Sequence, residues 1–546
     1  MRRVVIVGGG SAGWIMAAYL NGALNERGRN KTVSISLVES PDIPRISVGE
    51  ATVPSIHHIL DVVGVDEKAF MQATDATFKQ SIKYVNWLEN DGTGYHHPFN
   101  RATLGPIDNS GANWMVSRRD IPFMETVSAQ TLIAEGNRGP KTPDGQPFVA
   151  PMKYAYHFDA QLFADYLTEI ATAAGVEHIR ANVIKVNMRD NGLIQSVDLD
   201  TEQQIEGDVF IDCTGFRSIL MEKALGVPFE DFSQWLFCNQ AVVAQFGYED
   251  YFPGVVRPYT TATAMSAGWI WDTPTQTRRA IGYVHSSDFI DADQAAQELL
   301  AYQGVPADKA ETRLVKFKVG KRQKAWAGNC IAAGLASGFI EPLESTGIYL
   351  SELAAVLLAE HFPHRDEDLA PLAFRFNRVV SNRYYEILDF INMHYCMTRR
   401  TDTEFWRAVQ RPEHITDRLQ AKFEYWRTKP PTMSDFSDQA FAGFKYGATV
   451  TDDPLIDPRP PVDTGGLWDH SSYEAILFGM DFRGPEFLEK LGGNRPRSRM
   501  LSLVANTLQA APSRLSPHHV WLHQNLGMNA WPIGPRPAGW VDHPHL

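Results

Sequence analysis

The chain has 546 residues, 44% of them hydrophobic and 21% charged, which suits a large core and more than one structural region. Its formal net charge of −13 opposes binding to a phosphate backbone, so nucleic acid is not an expected partner. No segment has the uncharged, apolar length of a membrane span, so no membrane partner is expected. Four scattered cysteines without metal-ligand spacing predict reduced thiols, no metal site and a cytoplasmic location.

The N-terminal segment predicts a dinucleotide-binding unit. Val4 to Val7 is an apolar, β-branched run typical of a buried parallel strand, and residues 14–24 have the pattern of the following helix. The turn between them matches G-x-G-x-x-G, whose glycines permit a tight bend that aims a helix N-terminus at a pyrophosphate. A second apolar strand, Val33 to Val38, leads to Glu39, where an acceptor for ribose hydroxyls is expected. The candidate cofactor-binding residues are Gly8, Gly10, Ser11, Ala12, Gly13 and Glu39.

A later strand favours FAD over NAD as the cofactor. The segment Gly207 to Gly215 is an apolar strand that ends in Asp-x-x-Gly, and late strands of this kind return to the same cofactor in FAD oxidoreductases. Asp212 is therefore a further candidate cofactor contact, with capping of a turn as its simpler alternative.

The stretch Gly328 to Gly347 is the most informative in the chain. Small residues alternate with apolar ones and then lead through Glu-Pro-Leu-Glu into Ser345, Thr346 and Gly347. Glycine lets a backbone approach a flat cofactor closely, and the N–H groups ahead of the apolar run Ile348 to Leu358 predict a helix start that can hold an anion. A tight helix-packing turn would explain the same pattern.

Two further segments turn these signals into a family resemblance. Trp269 and Trp271 stand one residue apart, which puts both indoles on one face of a strand. With the sequence Phe-Lys-Gln-Ser-Ile-Lys-Tyr-Val-Asn-Trp at 78–87 and the motifs above, the chain resembles flavin-dependent tryptophan halogenases from residue 1 to about 430. Further matching stretches lie at 48–54, 156–160 and 316–320.

The resemblance implies an α/β fold, in which an FAD-binding Rossmann-like domain of the flavin monooxygenase type carries an inserted antiparallel sheet and precedes a mainly helical C-terminal substrate region. We assign the halogenase core to residues 1–385 and the C-terminal region to residues 386–546. The implied cofactors are FAD, used as FADH2 from a separate flavin reductase, and chloride or bromide. Reduced FAD, O2 and halide would give hypohalous acid, which halogenates an indole-type aromatic substrate by electrophilic substitution. A homodimer is kept as a candidate assembly.

The family's catalytic residues map onto Lys79 and Glu344. The Lys79 ammonium would hydrogen-bond hypohalous acid or form a haloamine, whereas Lys83, expected one helical turn further on the same face, is interpreted as structural. Glu344 would stabilise the positively charged ring intermediate, remove its proton or polarise the oxidant, with a helix-start acid as the simpler alternative. Thr346 and Gly347 match the family's halide-binding turn. The resemblance also adds cofactor contacts at Ala51, Gly334 and Leu335.

The substrate end matches less closely. His97 and Phe99 lie where the family sandwiches the indole, and Trp468 matches a further aromatic contact. The tyrosine pair with which the family holds the amino-acid end is absent from residues 452–468, whose Pro, Gly and Asp content predicts a loop. This departure predicts that free tryptophan is not the native substrate and that the pocket accepts indole or a larger indole-containing molecule.

Three alternatives stay open at this stage. The main one is an FAD-dependent aromatic monooxygenase, and the others are a halogenase for a carrier-bound phenol or pyrrole and a non-enzymatic flavin-binding regulator or electron-transfer protein. Helical patterns are predicted at residues 350–361 and 374–394, whereas the tail from Ser513 shows no clear periodicity.

Overall fold

The computed structural model describes residues 1–45, 49–102, 110–115, 121–248, 256–305, 310–432, 435, 467–483 and 498–528. In these ranges the strands are β1 Arg2–Val7, β2 Val33–Glu39, β3 Gly49–Ala51, β4 Thr77–Lys79, β5 Ser81–Val85, β6 Gly94–Pro98, β7 Ala155–Asp159, β8 Glu177–Arg180, β9 Val183–Met188, β10 Ile194–Leu199, β11 Gln204–Glu206, β12 Val209–Asp212, β13 Phe229–Asp231, β14 Gln240–Gly247, β15 Thr260–Ala264, β16 Gly268–Pro274, β17 Arg278–His285, β18 Arg313–Lys316, β19 Gly320–Arg322, β20 Trp326–Ala327, β21 Cys330–Ala332 and β22 Gly338–Phe339. The α-helices are α1 Ser11–Asn25, α2 Ile56–Val63, α3 Glu67–Ala73, α4 Ser110–Met115, α5 Phe123–Val127, α6 Gln130–Glu135, α7 Ala160–Ala173, α8 Ala292–Gln303, α9 Thr346–Glu360, α10 Leu369–Cys396, α11 Glu404–Ala408, α12 Asp417–Thr428, α13 His470–Gly479, α14 Ser498–Arg514 and α15 His518–Leu526. Shorter helical turns are Gly215–Arg217, Ile219–Ala224, Gly334–Ala336, Leu343–Ser345, Asp366–Asp368 and Pro412–His414.

The predicted βαβ unit forms the centre of a six-stranded sheet. Its strand order is β20-β21-β12-β1-β2-β8, and β1 runs parallel to both β2 and β12. Residues Val4 to Val7 are at most 4% exposed, as expected for a parallel strand covered on both faces. Helix α1 contacts β2, α7 and α9. Because it is covered from several directions, residues 14–20 are all buried, and none of the helix faces there is polar.

A second, seven-stranded sheet is inserted into this unit. Its order is β18-β14-β17-β16-β15-β5-β6, and the neighbours are antiparallel except for β15 and β5. Strands β14 to β18 follow β12 and precede β21 in the chain, so most of the sheet lies within one crossover of the parallel sheet. The predicted α/β fold with an inserted antiparallel sheet is therefore confirmed.

The segment around Lys79 is not helical, so the helical face expected for Lys79 and Lys83 is wrong. Strand β4 pairs with β7, whereas β5 lies between β15 and β6 in the larger sheet. Between them, the N–H of Gln80 donates to the carbonyl of Pro258 at 2.7 Å, and the chain passes from one sheet to the other. The segment is rich in β-branched and aromatic residues that favour paired strands, and this preference outweighs the helical spacing of the two lysines.

The C-terminal elements are helical in the described ranges, as predicted. The predicted helices at 350–361 and 374–394 correspond to α9 and α10, and α15 lies in the tail where no periodicity was found. The boundary between residues 1–385 and 386–546 stays a prediction, and the 28-residue helix α10 spans it. Among the helices described, none combines the length and the apolar character that crossing a membrane requires.

Candidate active site

Four loops that follow parallel strands meet at one edge of the six-stranded sheet. The glycine turn follows β1, Glu39 ends β2, Asp212 ends β12, and Gly334 lies two residues beyond β21. Parallel strands point their carboxyl ends to the same edge, so the structure brings these four groups of candidate cofactor residues together.

The glycine turn has room and donors for an anionic cofactor. Gly8 has a φ of +116°, and a Cβ there would lie 2.2 Å from the carbonyl oxygen of Cys213. A Cβ on Gly13 would lie 1.9 Å from the carbonyl oxygen of Gly8, so both positions require glycine. Helix α1 begins after Gly10 with no side chain capping its first N–H groups, and a Cβ on Gly10 would meet nothing within 4 Å. These features fit a pyrophosphate at the helix N-terminus.

The carboxylate of Glu39 lies over this turn, because a Cβ on Gly9 would come within 2.2 Å of its Cδ. Arg45 donates to the two carboxylate oxygens at 2.8 and 2.7 Å, and Nε2 of His178 lies 2.8 Å from Oε2. Arg45 is thus a residue of this edge that the motif spacing did not identify. The expected role of Glu39 as an acceptor for ribose hydroxyls stays a prediction.

The turn Gly334–Ala336 lies directly on the start of α1. Gly334 has a φ of +59°, and a Cβ there would lie 2.6 Å from the Cβ of Ala12. Leu335 is half-buried beside it, and the hydroxyl of Ser11 donates to the carbonyl of Ala160 at 3.1 Å. The stretch Gly328 to Gly347 is therefore next to the glycine turn that follows β1.

The carboxylate of Asp212 is fully used within the chain. It accepts the N–H and hydroxyl of Thr214 at 3.0 and 2.6 Å, and the N–H groups of Leu220 and Met221 at 2.8 Å each. This geometry matches the capping alternative, and a direct contact of Asp212 with the cofactor stays a prediction.

Lys79 is completely buried at the end of β4. Its Nζ donates to Oγ of Ser345 at 2.7 Å and to the carbonyl of Thr52 at 3.0 Å, and it lies 5.3 Å from the ring centroid of Phe99. Burial lowers the pKa of Lys79 to about 7, against an opposing effect of the nearby Glu344 carboxylate. Lys79 is therefore close to the midpoint between ammonium and neutral amine at neutral pH.

Ala51 and Lys83 lie on either side of this lysine along the chain. Ala51 pairs with His157 at the end of β3, one residue before the carbonyl that Lys79 contacts. Lys83 forms a 2.7 Å ion pair with Glu135 and is partly exposed, which agrees with its structural interpretation.

A strained turn carries Glu344 and Ser345 into helix α9. Both residues have left-handed backbone conformations, with φ of +67° and +59°, which non-glycine residues adopt at a cost. In the described ranges, the buried hydroxyl of Thr346, the first helical residue, has no hydrogen-bond partner, and a Cβ on Gly347 would meet no atom within 4 Å. An uncapped helix start with open space beside it suits a small anion.

Three side chains surround the carboxylate of Glu344, which is 3% exposed. Tyr84 donates its hydroxyl to Oε1, Nδ1 of His97 lies 3.0 and 2.9 Å from the two oxygens, and Nε2 of His394 lies 3.2 Å from Oε1. Burial alone would raise the pKa of Glu344, but His97 and His394 outweigh burial and hold that pKa well below its ordinary range. The other ring nitrogen of His394, Nδ1, lies 2.7 Å from the carbonyl of Phe390, so both ring nitrogens face acceptors.

The two tryptophans of the Trp-x-Trp motif lie on one strand face, as predicted, with ring centroids 6.3 Å apart. The indole N–H of Trp269 donates to Oε2 of Glu341 at 2.9 Å, and Tyr395 donates to the same oxygen at 2.7 Å. Burial raises the pKa of Glu341 to about 7, although these two hydrogen bonds oppose the shift. Trp271 covers Gly282, where a Cβ would lie 2.1 Å from the indole.

The candidate substrate residues approach the same centre from two sides. His97 contacts the Glu344 carboxylate, and Phe99 lies beside the buried lysine. Trp468 stacks on Phe390 with ring centroids 4.0 Å apart, and Phe390 is 6.0 Å from the His97 ring. Residues 452–466, on which the predicted loss of the tyrosine pair depends, lie outside the described ranges.

Sequence reasoning missed several residues of this centre. Three of these residues lie inside the motifs on which the resemblance rests. They are Tyr84 in the segment 78–87, and Glu341 and Ser345 in the segment 328–347. His394 stood in a predicted helix with no motif of its own. The sequence alone shows no reason to join residue 394 to residue 344.

The sheet edge and the buried lysine–carboxylate centre define a flavoprotein oxidoreductase with an enclosed reaction site. The tryptophan halogenase family profile matches residues 3–493. Tryptophan 6-halogenase ThaL of Streptomyces albogriseolus is 35% identical over 499 residues, which cover 88% of this chain and 89% of that protein. The structure of a tryptophan halogenase from Shewanella frigidimarina NCIMB 400 has a TM-score of 0.86 and 31% identity over 97% of this chain and 98% of that one. The structure of Tar14, a tryptophan C-6 flavin-dependent halogenase (chlorinase) from taromycin biosynthesis, has a TM-score of 0.83 and 30% identity over 96% of this chain and 100% of Tar14.

The chain therefore belongs to the tryptophan halogenase family, and it is a flavin-dependent halogenase that uses reduced FAD and halide. The resemblance inferred from the motifs is confirmed and extends beyond the expected limit near residue 430. Family membership favours halogenation over the aromatic monooxygenase alternative and over a non-enzymatic flavin protein.

Proposed function

We propose that this halogenase acts on an indole-type aromatic ring. Lys79 holds the hypohalous acid, and Glu344 stabilises the charged ring that forms when the ring takes up the halogen. The observation that carries the proposal is the burial of both side chains in one centre, where Lys79 donates to the hydroxyl of Ser345, the residue next to Glu344. O2 is the oxidant that would convert halide into hypohalous acid and water, and reduced FAD, when bound, would supply the other two electrons that O2 takes up.

The lysine has one hydrogen-bonding position left for the oxidant. An ammonium has three N–H donors, and Lys79 gives two of them to Ser345 and Thr52. The third can donate to the oxygen of hypohalous acid and make that oxygen a better leaving group. A neutral Lys79 would instead offer a lone pair to the halogen and form a haloamine.

The carboxylate of Glu344 suits the second half of the substitution. When the ring carbon takes the halogen, a C–X bond forms, the O–X bond breaks, and the ring becomes positively charged. A buried anion held by donors stabilises that charge, and it accepts the ring proton that leaves. The hydroxide released from the oxidant takes up a proton and departs as water.

The remaining residues have binding roles in this proposal. The FAD-holding residues are Gly8, Gly10, Ser11, Ala12, Gly13, Glu39, Ala51, Asp212, Gly334 and Leu335. Thr346 and Gly347 would hold chloride or bromide at the start of α9, and His97, Phe99 and Trp468 would enclose the arene. The reduced flavin comes from a separate reductase, while the homodimer and the cytoplasmic location stay predictions.

The test is mass spectrometry of indole and tryptophan after reaction with purified protein, FAD, NADH, a flavin reductase, O2 and mixed chloride and bromide. We expect a halogen isotope doublet, with indole preferred over tryptophan. Lys79→Ala should abolish the doublet while FAD still binds and is reoxidised. Lys83→Ala should behave like the wild type, because Lys83 pairs with Glu135 and lies over the ring of Tyr259, away from Glu344. Addition of oxygen without halogen would assign the protein to monooxygenation, and full product from Lys79→Ala would refute the lysine assignment. A strong preference for tryptophan would refute the prediction that the pocket accepts indole or a larger indole-containing molecule in place of free tryptophan.

A further inference from the structure

The two oxygens of the Glu344 carboxylate are held unequally. Oε1 lies against the hydroxyl of Tyr84, Nδ1 of His97 at 3.0 Å and Nε2 of His394 at 3.2 Å. Oε2 has a single neighbour among the described residues, Nδ1 of His97 at 2.9 Å. A carboxylate offers about four acceptor positions, so the free ones lie on Oε2.

Tyr84 is held in place by the packing of its ring as well as by its hydrogen bond. It is fully buried on β5, its ring stacks on Tyr95 at 5.0 Å with a 17° interplanar angle, and it lies 5.7 Å from Trp87 in an edge contact. Ring packing on these sides fixes the direction of the hydroxyl. Burial raises the pKa of Tyr84 well above its ordinary value, and the Glu344 charge raises it further, so the phenol stays a donor over the working pH range.

We propose that Tyr84 is a positioning residue that fixes Oε1 of Glu344, so that Oε2 is the oxygen presented to the charged ring and its leaving proton. The inference rests on the proposed catalytic role of Glu344 and deepens it. The Tyr84 hydrogen bond is charge-assisted and therefore stronger than one between neutral groups. It keeps the carboxylate from rotating about its last bond when the ring charge develops.

The groups that face Glu344 come from each element packed around it. They are Tyr84 on β5, Tyr95 and His97 on β6, His394 on α10 and Lys79 on β4. Of the two tyrosines, Tyr84 donates to the carboxylate, whereas the hydroxyl of Tyr95 is buried and has no hydrogen-bond partner among the described residues. Tyr95→Phe is therefore a matched control, because it removes the same group from the stacked ring beside it.

The experiment compares Tyr84→Phe with Tyr95→Phe in bromination of indole, with kcat, KM and the pH dependence of kcat as readouts. For Tyr84→Phe we expect kcat to fall about tenfold at an unchanged KM for indole, because one charge-assisted hydrogen bond is lost. The fall in kcat should be the same from pH 6 to 9, since His97 and His394 hold the pKa of Glu344 well below that range and the carboxylate stays ionised there. Tyr95→Phe should match the wild type. FAD binding, FADH2 reoxidation and the melting temperature report whether either variant is merely misfolded.

A double-mutant cycle separates this inference from the function on which it rests. If Tyr84 acts through Glu344, Tyr84→Phe in a Glu344→Gln background should cost little beyond Glu344→Gln alone. Additive losses, or a Tyr84→Phe profile equal to the wild type while Glu344→Gln is impaired, would overturn the positioning role and leave the catalytic glutamate intact. Full activity of Glu344→Gln would overturn both.

Discussion

Burial gives Lys79 a protonation equilibrium that an exposed lysine lacks at neutral pH. With no exposed surface, the ammonium loses hydration that two hydrogen bonds and the Glu344 charge replace only in part. The pKa of Lys79 is therefore lowered to about 7. Below this value the side chain is a three-proton donor, and above it the side chain is a nucleophile with one lone pair.

We expect the ammonium to be the active form, so that halogenation slows as the pH rises through about 7. The reason is that deprotonation removes the third N–H, which is the donor to hypohalous acid. The measurement is halogenated indole formed per FADH2 oxidised, between pH 6 and 9, with both halides.

The halide distinguishes the enzyme's titration from that of the oxidant. A limb caused by ionisation of hypohalous acid should shift when bromide replaces chloride, whereas a limb caused by Lys79 should stay in place. A yield that rises with pH through 7 would contradict the ammonium role and would instead support the haloamine.

The positions of the candidate residues could be predicted from local motifs, whereas their catalytic roles stay predictions. Lys79 and Glu344 were identified from their segments, and the structure brings both into one centre. The partners of Glu344 could not be predicted, because His97 and His394 are separated from it by 247 and 50 residues and meet it only through packing. The Tyr84 hydroxyl, 260 residues from Glu344 in the chain, also reaches it only through packing of the fold.

At the scale of elements, helix α9 connects the halide-binding candidates to the cofactor edge. It starts at Thr346 and runs past Ser351, whose hydroxyl would lie 3.7 Å from a Cβ on Gly334. Its length and position were predictable from the apolar pattern, but the left-handed turn before it was not, because neither Glu344 nor Ser345 is a residue that favours such a backbone.

Helix α9 also carries a buried acid, Glu352, which should make the fold sensitive to pH. Glu352 is 2% exposed. Its Oε2 accepts a hydrogen bond from the hydroxyl of Ser55 at 2.5 Å, and its Oε1 has no partner within the part of the chain that the structure describes. Burial raises the pKa of Glu352 from 4.5 to about 8, against the opposing hydrogen bond from Ser55. The folded protein thus retains a proton that the unfolded chain releases, and stability falls as the pH rises from about 5 to 8.

Glu352→Gln should remove this dependence. Relative to the variant, the wild type should lose up to about 1.4 kcal/mol in free energy of unfolding per pH unit across that window. Urea unfolding of both proteins at pH 5, 6.5 and 8 measures the difference. Ser55→Ala is the control, since it removes the hydrogen bond but keeps the acid and therefore the slope. Parallel wild-type and Glu352→Gln stabilities at the three pH values would contradict the prediction.

At the scale of the whole molecule, the far C-terminal helix supports the strand that carries Lys79, the proposed catalytic lysine. In α15, Nδ1 of His518 donates to the carbonyl of Val256 at 2.9 Å, and its Nε2 accepts the N–H of Phe78 at 3.3 Å. Burial lowers the pKa of His518 to about 4, which keeps the ring neutral and able to accept. The mixture of Pro, His, Trp and Gly in this tail hid the helix, because its apolar residues face a strand more than 400 positions earlier in the chain.

Trp521 packs against Phe78 of that strand, so its removal should affect both stability and chemistry. The side chain is 1% exposed, its ring lies 4.7 Å from the ring of Phe78, and its indole N–H donates to the carbonyl of Thr142 at 3.2 Å. Trp521→Ala should cost about 3–5 kcal/mol of unfolding free energy because it leaves a large cavity. It should also lower halogenated product per FADH2 oxidised, since Phe78 immediately precedes Lys79. The exposed Leu503 supplies the control, as Leu503→Ala should change neither quantity. A Trp521→Ala protein that is destabilised yet keeps its full product yield would show that α15 stabilises the fold without positioning Lys79.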